Sequence, residues 1–159
     1  MTNPYRNFEE LIAREVEGKD FEIRVHLKNK RVLVMAPHGG KIEPMTTEIA
    51  EAISGTDFSS YSFNGLKKDR NGVLHIESHL FDEPRALNAV KESDIIITVH
   101  GKIDGENEFV MVGGLHTDLC SEIKRQLKEA GFETRPPTMG LAGTDLMNIC
   151  NRGRLNRGV

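Results

Sequence analysis

Two unbroken apolar runs constrain this chain more than any other feature. They are "VLVMA" at 32–36 and "IIITV" at 95–99. A strand with one wet face alternates polar and apolar residues. A run without alternation needs cover on both faces, which is the situation of a central strand between layers of helix. The intervening segments supply such helices. Phe8, Leu11, Ile12 and Val16 recur at helical spacing in "NFEELIAREVEGKD", which predicts a short helix ending near Gly18. "MTTEIAEAI" places Met45, Ile49, Ala52 and Ile53 on one face, with Pro44 suited to its first turn and Gly55 to its end. "PRALNAVKES" is also helical, and "HTDLCSEIKRQLKEAG" aligns Leu119, Ile123, Leu127 and Ala130 before a capping Gly131.

Further strands are expected at "FEIRVHLKN", where Phe21, Ile23, Val25 and Leu27 alternate with charged residues and His26 falls on the wet face. "FSSYSFNG", "EFVMVGG" and "FET" are short strand candidates, and "VLHI" is a weaker one. Strands alternating with helices predict an α/β fold: a single domain, 1–159, whose central sheet is mostly parallel or mixed and flanked by helices. No internal repeat or boundary interrupts it, and 159 residues suffice to bury a core.

Composition excludes several classes of function. A formal charge of −3 gives no basic footprint for nucleic acid, apart from Arg152, Arg154 and Arg157 near the C-terminus. No apolar run reaches membrane-spanning length, and "MTNPYRNFEE" is no signal peptide. Cys120 and Cys150 lack metal-type spacing and read as reduced thiols of a cytoplasmic protein, with a small buried residue the expected role for Cys150. A monomer is expected.

Both long apolar runs end in histidine and glycine, as "APHGG" and "TVHG". Ligands of open α/β sheets gather at the carboxyl ends of strands. If the two strands run parallel, His38 and His100 emerge on one edge, and glycine after each lets the backbone turn without a Cβ clash. Glu43, immediately before Pro44, would cap the next helix and face the same edge. Two histidines and one carboxylate leave a tetrahedral position open, the ligand set of a catalytic zinc. Singly, His38 reads as a turn residue and Glu43 as a cap or dipole complement; placed together at two strand ends, they favour one metal ion. His75 and His79 in "LHIESHLFDEP" are spaced to share a strand face and form a rival pair, or they line the cleft. His116 reads as a helix cap.

"APHGGKIEP", "TEIAEAI", "LHIESHLFDEP", "ITVHG", "VGG" and "NICNRG" occur in this order, after an opening "FEELIAREVEGKDFEIRV". Together they resemble the poly-γ-glutamate hydrolase family of Bacillus and its phages, over nearly the whole chain. The resemblance implies a fold similar to zinc carboxypeptidases, one Zn2+ and hydrolysis of the γ-amide bonds of capsular poly-γ-glutamate by a phage or prophage enzyme that acts outside the cell after lysis. It maps the metal ligands onto His38, Glu43 and His100. It also implies a general base in a Gln-Leu-Glu continuation after the Gly-Val that ends this sequence, so the family's last strand and helix are expected to be missing and the activity of this chain to be weak.

Within the chain, Glu77, Asp104, Glu106 and Glu108 are the alternative carboxylates for proton transfer, Glu77 and Glu106 foremost, although a solvated loop is the plainer reading of the last three. An anionic polymer substrate calls for cations, and the arginine fork suits carboxylate. Arg152 is the first choice, followed by Arg154, Arg157 and Lys102, with His79 lining the cleft; the plainer reading of the arginines is a basic tail. Two other functions fit the same metal set. One is a zinc-dependent peptidoglycan amidase, and the other is a non-catalytic remnant that binds polyanion or metal.

Overall fold

A computed structural model describes residues 4–28, 31–103, 105 and 108–159. Among the described residues, the main sheet has four strands in the order β1-β3-β2-β4. These are β1 (Phe21–His26), β2 (Val32–Gly40), β3 (Ser59–Gly65) and β4 (Ile95–Thr98). Strand β2 lies in the middle and runs parallel to both neighbours, pairing Leu33 with Ser59 and Val32 with Ile95. Strand β1 joins the edge of β3 antiparallel, so the sheet is mixed. The unbroken apolar runs do occupy the interior, and Leu33, Val34, Met35, Ala36 and Ile96 are buried. Two short strands, β5 (Val110–Met111) and β6 (Thr134–Arg135), pair parallel in a separate sheet. Val159 continues the main sheet beyond β4, its N–H donating to Ile96 O and its carbonyl accepting from Thr98 N.

The two faces of the sheet differ in chemistry. On one, Phe21, Leu33, Met35, Tyr61, Phe63 and Phe81 belong to the main core, with Phe21 and Phe63 stacked at 4.9 Å. On the other lies α2 (Thr46–Ser54), and here the expectation fails. The predicted apolar face points outward, leaving Met45, Ile49 and Ile53 exposed, while Thr46, Thr47, Ala50 and Ser54 are buried. The counterface is made of Val34 and Ala36 of β2 beside Ser60, Ser62 and Asn64 of β3, a closely approached surface that is partly polar. Threonine, alanine and serine let the helix approach it closely and satisfy its polar groups.

Two other expectations change. Helix α1 covers only Phe8–Ile12, because Glu15 and Val16 are drawn into bonds with Tyr5 and Asp20 instead of a further turn. The segment around "VLHI" is a 3₁₀ turn, Asn71–Leu74, not a strand. A second 3₁₀ turn, Ile149–Arg152, packs against β4. Helix α3 (Pro84–Glu92) is capped by the Glu83 side chain, which accepts from Ala86 N, and α4 (Thr117–Glu129) by His116, which accepts from Leu119 N.

Candidate metal centre

Parallel pairing of β2 and β4 puts their carboxyl ends on one edge of the sheet, and the loop after β2 returns Glu43 to that edge. Glu43 does not cap α2, whose N-cap is Met45; Pro44 also precedes the helix. The turn is closed instead by the Glu43 N–H bond to His38 O, at 2.9 Å, and by Thr46 Oγ1 donating to Glu43 O. Carboxylate and imidazole are thereby held face to face.

Three imidazoles surround the Glu43 carboxylate. His38 Nδ1 lies 3.1 Å from Oε1, His75 Nε2 3.7 Å from Oε1 and His100 Nδ1 3.4 Å from Oε2. The His38 ring stacks on His75 at 3.8 Å and lies 5.0 Å from His100. Gly101 N donates to Glu43 Oε2 at 2.9 Å, and Ser78 Oγ lies 3.5 Å from His100 Nε2. His38 is 1% exposed, whereas His100 opens to solvent.

The protonation pattern follows from these partners. His38 Nε2 lies 2.7 Å from Ile76 O, which can only accept, so this nitrogen carries the proton. Burial holds His38 below the ordinary imidazole range, His100 and His75 push in the same direction, and Glu43 opposes them. His38 Nδ1 faces Glu43 Oε1 while the ring's other nitrogen is committed to Ile76 O. Burial alone would raise the Glu43 carboxyl, but the surrounding His100, His38 and His75 outweigh it and keep the group well below the usual carboxylate range. Imidazole nitrogens of three histidines thus converge on one carboxylate, a cluster of nitrogen and oxygen donors able to close around a cation. The backbone carbonyl on the far nitrogen of His38 is the usual outer partner of a metal-bound imidazole. Nitrogen and carboxylate oxygen donors suit zinc.

The remaining residues singled out in the sequence are scattered. His79 and Glu77 are exposed; His79 does not share a strand face with His75, since no strand forms there. Glu108 and Lys102 are exposed, and Asp104 and Glu106 lie outside the described residues. Arg152 is half-buried, its Nη1 donating to the carbonyl of Phe81, whose ring stands 6.3 Å from that of His38. Arg154 is at the opposite edge of the sheet, 3.6 Å from Asp94 at the start of β4, and Arg157 is exposed in the turn before Gly158. Neither forms a group with Arg152. His75 is the residue that sequence reasoning underrated. Its neighbours Leu74 and Ile76 are both buried, a local sign that the histidine between them is held against the core.

The model of the poly-gamma-glutamate hydrolase family matches residues 5–159. The chain belongs to that family. It is 38% identical over 152 residues to the UPF0714 protein YmaC of Bacillus subtilis strain 168, covering 94% of this chain and 63% of YmaC. It is equally identical over 150 residues to the SPbeta prophage-derived UPF0714 protein YoqZ of the same strain, covering 93% of this chain and 54% of YoqZ. The chain therefore spans little more than half the length of these curated relatives. Among solved structures, a bacteriophage poly-gamma-glutamate hydrolase superposes with a TM-score of 0.95 at 34% identity, covering 99% of this chain and 76% of the other. A zinc-free apo structure of YndL superposes with a TM-score of 0.92 at 36% identity, covering 99% and 77%.

Proposed function

We propose that the centre around Glu43 binds one zinc ion through His38, Glu43 and His100, and serves the hydrolysis of γ-glutamyl amide bonds in poly-γ-glutamate. The observation that carries this reading is the convergence of imidazole nitrogens from His38, His75 and His100 on the Glu43 carboxylate, with His38 anchored through Nε2 to Ile76 O. Bound zinc supplies Lewis acidity and lowers the pKa of water toward neutrality. The chain's own residues do the rest. His38 and Glu43 fix the donor geometry from a buried bulge and turn, and His100 leaves the centre open on its solvent side. Arg152, whose Nη1 donates to the carbonyl of Phe81, is the proposed reader of an α-carboxylate of the polymer, for which its planar fork is suited. Among carboxylates of this chain, Glu77 and Glu106 are the proposed proton carriers. The reaction would then resemble that of zinc carboxypeptidases. A monomer made in the cytoplasm and released by lysis fits a capsule-degrading enzyme, and the prophage and phage relatives support that setting.

His75 is the alternative third ligand, because single donors from His38, Glu43 and His75 all lie within 4.8 Å of one another. Zinc titration of the His38→Ala, His75→Ala and His100→Ala variants separates the two sets. His38→Ala should lose stoichiometric zinc, and His100→Ala should weaken binding more than His75→Ala. Retention of a full equivalent by His38→Ala rejects the centre. Size-exclusion analysis of poly-γ-glutamate digests gives the activity arm. Zinc bound without depolymerisation favours a non-catalytic remnant, and release of peptidoglycan stem peptides favours an amidase.

A further inference from the structure

Side-chain alternation along β2 would turn His38 the wrong way. Val34 and Ala36 pack toward α2, whereas Leu33 and Met35 belong to the main core. With a two-residue period, position 38 would follow Val34 and Ala36 under α2. It does not. The His38 ring lies on the opposite face, bonded to Ile76 O and edge-on to Phe81. The pairing with β3 accounts for the reversal. Ala36 pairs with Ser62, but the next partners are Gly39 and Asn64, so β2 advances three residues while β3 advances two. The extra residue is a β-bulge at Pro37–His38, and it inverts the facing of the imidazole.

A lock holds this bulge from the α2 side. Thr47 Oγ1 accepts from Gly40 N at 3.1 Å and donates to Asn64 Oδ1 at 2.5 Å, and Asn64 Nδ2 donates to Ser62 Oγ at 2.9 Å. Thr47 and Asn64 are buried, so these bonds are shielded from water. Gly39 faces the lock. A Cβ there would overlap Thr47 Oγ1 and come within 2.5 Å of Asn64 Oδ1. Only a residue without Cβ leaves room for the threonine hydroxyl between the strands and the helix.

We propose that Thr47 and Asn64 are positioning residues, which hold the β2 bulge and so aim His38 at Glu43 and away from α2. The inference rests on the metal reading for its functional meaning, but not for its geometry. Thr47→Val removes the hydroxyl at nearly constant volume, and Thr47→Ser retains it. Zinc affinity by chelator competition should fall about 10–100-fold in Thr47→Val, the range found for outer-shell partners of metal ligands. It should stay near wild type in Thr47→Ser, and the visible spectrum of the cobalt-substituted protein should change only in the valine variant. In the metal-free protein, the His38 Nε2–H resonance should be protected in wild type and Thr47→Ser and lost in Thr47→Val. A melting curve of each metal-free variant verifies folding. Should Thr47→Val fail to fold, Asn64→Asp, which keeps the acceptor for Thr47, and Asn64→Ala repeat the comparison. Wild-type affinity and cobalt spectrum in Thr47→Val would overturn the proposal, as would equal losses in the serine and valine variants. If wild-type protein takes up no zinc, the metal reading falls, and the Nε2–H resonance alone decides whether the lock aims His38.

Discussion

Asn151→Ala should destabilise the domain severely while leaving zinc affinity nearly unchanged. Asn151 is 2% exposed and uses its whole hydrogen-bonding capacity. Its Nδ2 donates to Gly143 O at 2.7 Å and Asp145 O at 2.8 Å, and its Oδ1 accepts from Gly158 N at 3.1 Å and Leu115 N at 3.4 Å. One side chain thus ties the loop after β6, the segment before α4 and the end of the chain to the 3₁₀ turn carrying Arg152. Alanine deletes all four bonds. At a net ~0.5–1.5 kcal/mol each, the loss is about 2–6 kcal/mol, the longest bond contributing least. Natural domains hold only about 5–15 kcal/mol in total, so a large share of the stability is at stake. Asn151→Asp should be no better, because a carboxylate oxygen would replace the donor against two carbonyls. Urea unfolding of metal-free protein, with slopes compared to verify a common transition, measures the effect. A loss below about 1 kcal/mol would show that water or neighbouring groups replace the bonds and would refute the reasoning.

Cys150 should resist alkylation in the native protein at pH 8 and react once unfolded, since burial pushes its thiol up to about 12; mass spectrometry after iodoacetamide treatment reads this directly. The sign of the linked pH effect is set by the same shift. Between the unfolded thiol value and about 12 the native state holds the extra proton, so stability should fall as pH rises through that window, and a Cys150→Ala variant should show a shallower alkaline decline in Tm. Glu83→Gln should lower stability through Tyr61, Ala86 N and Arg85, all of which bond its buried carboxylate, without altering zinc binding. Arg152→Ala should weaken binding of poly-γ-glutamate and Arg152→Lys should restore it only partly, because lysine lacks the planar fork; equal binding of the polymer by all three proteins would reject that role.

The mostly parallel or mixed sheet was legible because Leu33, Val34, Met35, Ala36 and Ile96 in the two apolar runs are buried, and unbroken hydrophobicity is a direct record of that, whereas the strand order was not legible. The shared edge of His38 and His100 followed from the same property. The face of α2 was not legible. Hydrophobic periodicity selects the wettest stripe as the outside, yet here the counterface combines Val34 and Ala36 of β2 with Ser60, Ser62 and Asn64 of β3, and the inward stripe is Thr46, Thr47, Ala50 and Ser54. Periodicity misreports burial where the partner surface is partly polar and approached closely. His75 was obscured for a related reason. An alternating reading made it the polar side of a strand shared with His79, whereas the backbone there turns as a 3₁₀ segment and delivers only His75 to Glu43.

The glycines of the two His-Gly junctions carry the remaining distinction. A sharp turn is the obvious explanation for glycine after a strand, but neither Gly39 nor Gly101 has the positive φ such a turn would require, and only Gly40 does, at 61°. What they share is proximity. Gly39 makes room for the Thr47–Asn64 bond, and Gly101 brings its N–H to Glu43 Oε2 where a Cβ would sit 3.2 Å from Glu43 Cβ. Each glycine therefore admits the partner that orients a different part of the centre: the imidazole of His38 through the bulge, and the carboxylate of Glu43 through a backbone donor. Sequence shows the residue type at both positions. The reason for it lies in segments distant along the chain, and it becomes readable only once α2 and the loop after β4 are folded against the same strand end.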